Sequence, residues 1–378
     1  LGEAKNKRNH RKDAIVTTLV SFIVLLGILI FAHELGHFLA ARMAGVGVLK
    51  FSLGFGPQIF GKKIGETEYV VSWVPLGGFV KLLGESDTED LPPEDEKRSF
   101  LKQPVWKRLL IVLAGPVFNF FLAIVIFTVV QIYGLPSLTA EIGEVQIGQA
   151  AYEAGLRAGD RVVSINGQKI DFWEDIRAAI SQSAGRPLAM VIDRAGEIKP
   201  VVVQPRLSKT QNIFGEEEFA YLIGISPSEK TAIERRNPIS AFLSSLLKTW
   251  HISKLTVVSV VKIFEGVISP RTLGGPIFIA QVAGAQIKEG VIPFILFIAV
   301  LSINLGVLNL FPIPVLDGGH ILFYLYEIVT GKEISVKARE ISQQIGFAIL
   351  VMLMLFVIYV DLERLNLSFL KHINEIFK

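Results

Sequence analysis

Four apolar runs limit what this chain can fold into. A helix that crosses a bilayer needs roughly 20 mostly apolar residues. Such runs occupy Ile15–Met43, Leu109–Tyr133, Ile292 to about Val329 with interruptions, and Ile345–Val360. With 51% hydrophobic and 19% charged residues and a mean hydropathy of +0.49, the 378-residue chain reads as an α-helical polytopic membrane protein with four transmembrane helices. The first run is too long for the core of a signal peptide and reads as a span. A net charge of +3 is too small to draw a nucleic-acid partner. The chain has no cysteine, which excludes a disulfide framework, a thiolate metal site and a thiol nucleophile.

The segments between the runs divide the chain into four regions: 1–137, 138–227, 228–290 and 291–378. In the first region, KFSLGFG (Lys50–Gly56) and TEYVVSWVPLGGFVKLLG (Thr67–Gly84) carry β-branched and aromatic residues in alternation, punctuated by glycine. They predict a membrane-associated β-hairpin loop dipping toward the bilayer beside the site. Backbone of that kind survives at membrane depth only under cover of protein or of a wet cavity. The run from Glu85 to Glu96 holds seven carboxylates and reads as solvated loop. Region 138–227 is glycine-punctuated and strand-rich, with one helical stretch at DFWEDIRAAISQS (Asp171–Ser183), and predicts a small α+β domain. Asn237–Gly266 opens on Asn-Pro and reads as an amphipathic helix on or near a membrane surface, with His251 as an interfacial side chain. Lys and Arg number twelve in the loops after the first and third spans against eight in the two tails, which puts both tails and region 138–227 outside.

The chemistry is concentrated in HELGH, residues 33–37, at the end of the first run. On a helix, residues four apart face the same way. His33 and His37 can therefore share one tetrahedral ion, with Glu34 able to reach a water on it, as in H-E-x-x-H zinc peptidases. Each ionisable group at bilayer depth costs on the order of 2.5–3.5 kcal/mol, so three together without a compensating cation are hard to tolerate. A catalytic zinc needs a third protein ligand. Asp317 is the only carboxylate between Val291 and Tyr326, just after a stretch that Pro312 and Pro314 interrupt; His320 competes with it. Gly77-Gly78 and Gly274-Gly275 read as turn or close-packing sites, as does Gly115; Asn119 reads as a packing contact, or alternatively faces the site. A non-enzymatic reading, an ion path built from the same groups, would leave Glu34 without a proton-transfer role.

HELGH, GFG (Gly54, Phe55, Gly56), AGPVFN (Ala114–Asn119), GGPI (Gly274–Ile277) and N-x-x-P-x-P-x-L-D-G (Asn309, Pro312, Pro314, Leu316, Asp317, Gly318) together resemble the site-2 protease family of intramembrane zinc metalloproteases. AYEAGLRAGDRVVSINGQKI (Ala151–Ile170) resembles the core segment of PDZ domains, and region 138–227 has room for one. The first resemblance implies Zn2+ held by His33, His37 and Asp317, with Glu34 the catalytic base acting on a zinc-bound water and Asn309 assisting the substrate or the oxyanion. It implies regulated proteolysis in a bacterial inner membrane, of a single-pass substrate such as a trimmed anti-sigma factor, with the PDZ-like domain extracytoplasmic. That domain either captures peptide termini, of substrate or of an activator, or obstructs bulky substrates. Gly54, Phe55 and Gly56 are the candidate substrate-binding residues, where an extended peptide adds as a strand. A loop folded on itself is the alternative.

Overall fold

The computed structural model describes residues 2–85 and 91–376; residues 86–90 of the acidic run lie outside the described residues. The chain forms two compact units, one of Leu1–Phe127 with Phe242–Lys378 and one of Thr128–Ala241. In chain order, the first unit begins with helix α1 (Gly2–Ala44), strands β1 (Val48–Ile64) and β2 (Thr67–Leu82), and helix α2 (Val105–Tyr133), which runs on into the second. The second unit holds β3 (Leu135–Leu138), β4 (Ile142–Val145), α3 (Ala150–Glu153), β5 (Arg161–Ile165), β6 (Gln168–Lys169), α4 (Trp173–Gln182), β7 (Leu188–Arg194) and β8 (Glu197–Val203). It continues with β9 (Arg206–Gln211), β10 (Glu217–Leu222), β11 (Ile225–Pro227) and β12 (Thr231–Glu234). Helices α5 (Pro238–Phe264), α6 (Pro276–Glu289), α7 (Val291–Asn309), α8 (Asp317–Thr330) and α9 (Val336–Ile376) follow.

Among the described residues, four helical stretches are long and apolar enough to cross a membrane: Asp13–Ala44, Val105–Tyr133, Val291–Asn309 and Val336–Leu365. Their outer faces stay apolar and uncovered, as at Ile15, Leu19 and Ile23 of α1, which suits a hydrocarbon solvent. The expected third span, Ile292 to about Val329, is two helices. Pro312 has no N–H and drives the residue before it out of the helical region, so α7 ends and α8 starts afresh at Asp317. Within this unit, Leu25 and Leu29 of α1 pack with Ala283 of α6 and with Phe294 and Ile298 of α7. Ala123 and Phe127 of α2 pack on Ala299, Ile303 and Val307 of α7. Helix α6 has no counterpart in the sequence reading.

The hairpin is present, and β1 runs past the expected end at Gly56 as far as Ile64. Its antiparallel ladder with β2 slips register repeatedly, and Gly54 and Gly56 have φ of +95° and +84°, backbone that favours glycine.

The second unit is α+β. A four-stranded sheet in the order β6-β5-β7-β8 buries one face, with Leu188, Met190 and Ile192 of β7 pointing inward at strand period and Val162 and Ile165 of β5 both buried across a register shift between Val162 and Ser164. Helix α4 covers this core with Trp173, Ile176 and Ile180, three residues of one helical stripe, each burial contributing about 2 kcal/mol. The β5–β6 turn is Asn166-Gly167, both at positive φ, the dipeptide a tight hairpin favours. The strands expected at AEIGEV, DRVVSING, LAMVID and KPVVVQP correspond to β4, β5, β7 and β8. The β9–β10 hairpin and the β3–β12 pair lack a clear alternation, and the sequence reading missed them.

Candidate metal centre

HELGH lies in the last turns of α1, and close backbone approaches hold other elements against it. A Cβ on Gly36 would stand 2.3 Å from the Ala114 carbonyl oxygen, so the bare glycine lets α1 and α2 cross in contact. On the facing side, a Cβ on Gly115 would stand 2.3 Å from His37 Nε2. Strand β2 closes a third side, because Gly78 leaves room for the Glu34 side chain, whose Cγ would be 2.9 Å from a Cβ there. The Gly77-Gly78 pair is thus a close-packing site. So is Gly275, where a Cβ would meet the Asp361 carboxylate at 2.5 Å.

The broken third span supplies the rest. After α7 the backbone turns through Leu310–Leu316, where Ile313 N–H donates to Phe311 O and Leu316 N–H to Ile313 O. These bonds satisfy groups that the prolines took out of the helix. Val315 holds φ +139° in this turn. The two glycines after Asp317 let the first turn of α8 fold back on this segment: a Cβ on Gly318 would meet Phe311 O at 2.2 Å, and one on Gly319 would meet Ile313 O at 2.6 Å. Asp317 is the first residue of α8, directed at α1.

His33, His37 and Asp317 come together, each offering a ligand atom, all within 4.8 Å of one another. His33 Nε2 is 3.2 Å from Asp317 Oδ2 and 3.2 Å from His37 Nε2, and His37 Nε2 is 3.5 Å from Asp317 Oδ1. His37 Nδ1 is 2.9 Å from the Ile111 carbonyl oxygen. A carbonyl only accepts, so that nitrogen carries the proton and the neutral ring turns the Nε2 lone pair toward His33 and Asp317. Asp317 Oδ2 is buried and has no hydrogen-bond partner among the described residues. Converging lone pairs around an unsatisfied carboxylate oxygen repel one another unless a cation sits among them, and two imidazoles plus one carboxylate are a donor set of catalytic zinc. The residues fit the metal. His320 lines the same cavity but lies outside the three-residue cluster.

The cavity has a volume of about 610 Å³ and is lined by His33, Glu34, His37, Asn309, Asp317 and His320 among others. Glu34 is buried, beside the cluster. Asn309, at the end of α7, puts its amide 3.3 Å from His33 Nε2. Asn119 is fully buried with its amide 3.1 Å from His33 Nδ1, so it faces the site, the reading given second place in the sequence. Gly54, Phe55 and Gly56 do not line this cavity; the Phe55 ring stacks on Phe79, which does. Asp361, which the sequence does not single out, lies at the C-terminal end of the last apolar stretch and accepts backbone N–H bonds from Gly275, Ile277 and Phe278 at the start of α6.

The sequence profile of peptidase family M50 matches residues 21–353, most of the chain. The chain belongs to peptidase family M50. It is a zinc metalloprotease of the site-2 type and a multi-pass membrane protein. Among its relatives, a protein of Rhizobium meliloti named "Putative zinc metalloprotease" is 36% identical over 368 residues, covering 93% of this chain and 98% of that protein. One of the same name from Brucella suis is 38% identical over 93% of this chain and 96% of its own length. The "Regulator of sigma E protease" of Salmonella typhimurium is 32% identical, covering 93% of this chain and all of its own length. That alignment runs over 453 positions against the 378 residues here, so the Salmonella protein carries an insertion relative to this M50 chain.

Proposed function

We propose that this M50 protease cleaves single-pass, membrane-tethered substrates inside the bacterial inner membrane, a trimmed anti-sigma factor being the type of substrate, with zinc on His33, His37 and Asp317 and with Glu34 as general base. The observation that carries the reading is the Asp317 carboxylate, whose buried Oδ2 has no hydrogen-bond partner among the described residues, 3.2 Å and 3.5 Å from the Nε2 atoms of His33 and His37 in a cavity that also holds Glu34. Zinc bound there supplies Lewis acidity that makes water a nucleophile at neutral pH. Glu34 takes the proton of the attacking water on its carboxylate and delivers it to the leaving amine nitrogen. Asn309 donates its amide N–H to the oxygen of the scissile carbonyl as negative charge develops there. Gly78 and Phe79 bring β2 over Glu34, narrowing the entry to an unwound peptide and keeping bulk water away.

Substrate presents its peptide in extended form along the hairpin, with Gly54, Phe55 and Gly56 at the contact. Support comes from the Phe55–Phe79 stack, which links that bend to the cavity wall. The second unit is a PDZ-like domain on the extracytoplasmic side. In support, a cavity of about 800 Å³ opens between α4 and β10, and β10 pairs with β9 alone among the described strands, leaving its other edge without a strand partner. That edge takes a peptide terminus exposed by earlier trimming of the substrate, which restricts bulky substrates at the same time.

The test is reconstitution in liposomes with a membrane-tethered model peptide, reading zinc content and product together. Glu34→Gln should keep stoichiometric zinc and lose cleavage by at least about 100-fold. Asp317→Asn should lose both. Wild-type cleavage by Glu34→Gln would overturn the mechanism. Normal zinc in Asp317→Asn together with zinc loss in His320→Ala would overturn the ligand set.

A further inference from the structure

We infer that Asn119 is a positioning residue for the metal. Its side-chain oxygen accepts the Nδ1 proton of His33 and so holds that ring in the tautomer whose Nε2 lone pair points at the cation. The inference rests on His33 being a zinc ligand.

The two histidines have different second partners. His37 has its answer in the Ile111 carbonyl. Among the described residues, the hydrogen-bonding neighbours of His33 Nδ1 are the amides of Asn119 at 3.1 Å and Asn309 at 3.5 Å, and no backbone carbonyl. Asn309 is nearer the other nitrogen, at 3.3 Å from Nε2, and so sits over the edge of the ring that faces the cluster. Nδ1 therefore belongs to Asn119. With Nδ2 toward Nδ1, the Asn119 Oδ1 is buried without a hydrogen-bond partner among the described residues. A half-turn of the amide exchanges the two atoms. Oδ1 then accepts from His33 Nδ1–H, and the orphaned acceptor and the tautomer are settled by one hydrogen bond. A ligating histidine characteristically donates its free ring N–H to an oxygen of this kind.

The surrounding helices leave Asn119 little freedom. It is fully buried, and its backbone oxygen accepts from Ser302 Oγ of α7 at 2.8 Å; Ser302 is itself fully buried. Gly306, one turn along α7, lets that helix approach so closely that a Cβ there would lie 3.3 Å from the Asn119 Cβ. Four residues before Asn119, Gly115 passes both imidazoles, with a Cβ there 2.8 Å from His33 Cε1 and 2.3 Å from His37 Nε2. The AGPVFN segment is thus a wall fitted along the ring edges of both histidines, ending in the amide that orients one of them.

The experiment uses the full chain in detergent or liposomes and reads zinc affinity by chelator competition for wild type, Asn119→Leu, Asn119→Asp and His33→Ala. A [15N]histidine spectrum of the zinc-loaded wild type is recorded alongside. Asn119→Leu, of similar volume and without an acceptor, should weaken zinc binding 10- to 100-fold. Asn119→Asp, which keeps the acceptor, should bind within about threefold of wild type or tighter. The His33 ring should show a protonated Nδ1 and an unprotonated Nε2. Wild-type affinity in Asn119→Leu beside zinc loss in His33→Ala would overturn the proposal, as would equal losses in the Leu and Asp variants. Should Asn119→Leu not fold, a spectrum with Nδ1 unprotonated or a large zinc loss in Asn119→Asp would overturn it alone. Zinc retained by His33→Ala would overturn the ligand reading and this proposal with it.

Discussion

Gly115→Ala adds one methyl group at the point where α2 passes the two histidines proposed to hold the metal. The new Cβ would stand 2.3 Å from His37 Nε2, 2.5 Å from His37 Cε1 and 2.8 Å from His33 Cε1. Ordinary van der Waals contact begins at 3.4 Å, so His37 and the new carbon must part by about 1.1 Å. The imidazole can swing, or α2 can retreat. Retreat is opposed by the Ser302–Asn119 bond to α7, and it would also carry away the Ile111 carbonyl that holds His37 Nδ1. Both routes move the ring. A metal site tolerates ligand displacements of about 0.2 Å, several times less than the displacement required. The expected result is a loss of zinc affinity of at least about 100-fold, or roughly 2.7 kcal/mol. Overpacking costs the fold about 1–3 kcal/mol.

The assay is equilibrium competition against a chromogenic chelator, with helix content recorded on the same sample. Gly27→Ala is the control, because a Cβ on Gly27 has nothing within 4 Å, and its zinc affinity should match wild type. A folded Gly115→Ala protein that binds zinc within threefold of wild type would refute the idea that this glycine exists to clear the ligands.

Asp160 in the second unit is almost fully buried; burial pushes its carboxyl up, but the Arg194 guanidinium bound to both its oxygens and the Arg157 backbone N–H outweigh this and hold it below the usual carboxylate range. A carboxyl lowered in the fold contributes stability that is complete above its unfolded pKa and is lost as pH falls through the folded one, so amide exchange in β5 and β7 should accelerate only in acid. Asp160→Asn should remove that acid limb and lower stability at neutral pH, by less than a fully buried pair would because Arg194 keeps access to water. Asp361→Leu should leave three N–H groups at the start of α6 without their acceptor, at about 1–3 kcal/mol for each that water does not reach, and proteolysis at Arg271 should quicken. Arg108 is buried, 2.6 Å from Glu327 and over the Tyr324 ring; Arg108→Met should strand the Glu327 carboxylate and lower stability by about 3–5 kcal/mol, with Arg108→Met/Glu327→Met recovering most of it in thermal denaturation. Unchanged melting in Arg108→Met would show that the pair contributes nothing.

What the sequence revealed and what it hid follow from the range of the interactions. His33, Glu34 and His37 are legible because the helix converts a spacing of four into a shared direction, with no knowledge of the rest of the chain. Asp317 is half legible: the prolines announce a break, but nothing local distinguishes it from His320. The structure brings Asp317 to the imidazoles because Gly318 and Gly319 let α8 fold back on the turn, an effect of backbone clearance that leaves no periodic mark. The third span shows the same limit, since its apolar composition continues through a turn that only steric exclusion at Pro312 creates. Helix α6 and its Asp361 cap join segments 83 to 86 residues apart, and neither end predicts the other.

Glycine carries much of this hidden information. Gly36 meets Ala114, Gly78 meets Glu34, Gly115 meets His37, and Gly346 of α9 meets the Pro314 carbonyl, each at a distance that forbids a Cβ. None of these four has a positive φ, so conformational freedom is not why glycine stands there. Absence of a side chain is. Three of these contacts surround HELGH and the fourth backs the proline-broken turn that presents Asp317. Charged groups inside a membrane are tolerable only where protein, not lipid, surrounds them, and backbones must approach within a methyl's width to exclude it. The proposed zinc site is therefore built as much from missing carbons as from ligands. Gly27, equally apolar in its surroundings and equally without a turn to make, would meet nothing within 4 Å with a Cβ added, so it is the neighbour across the gap, and not the glycine alone, that marks a wall.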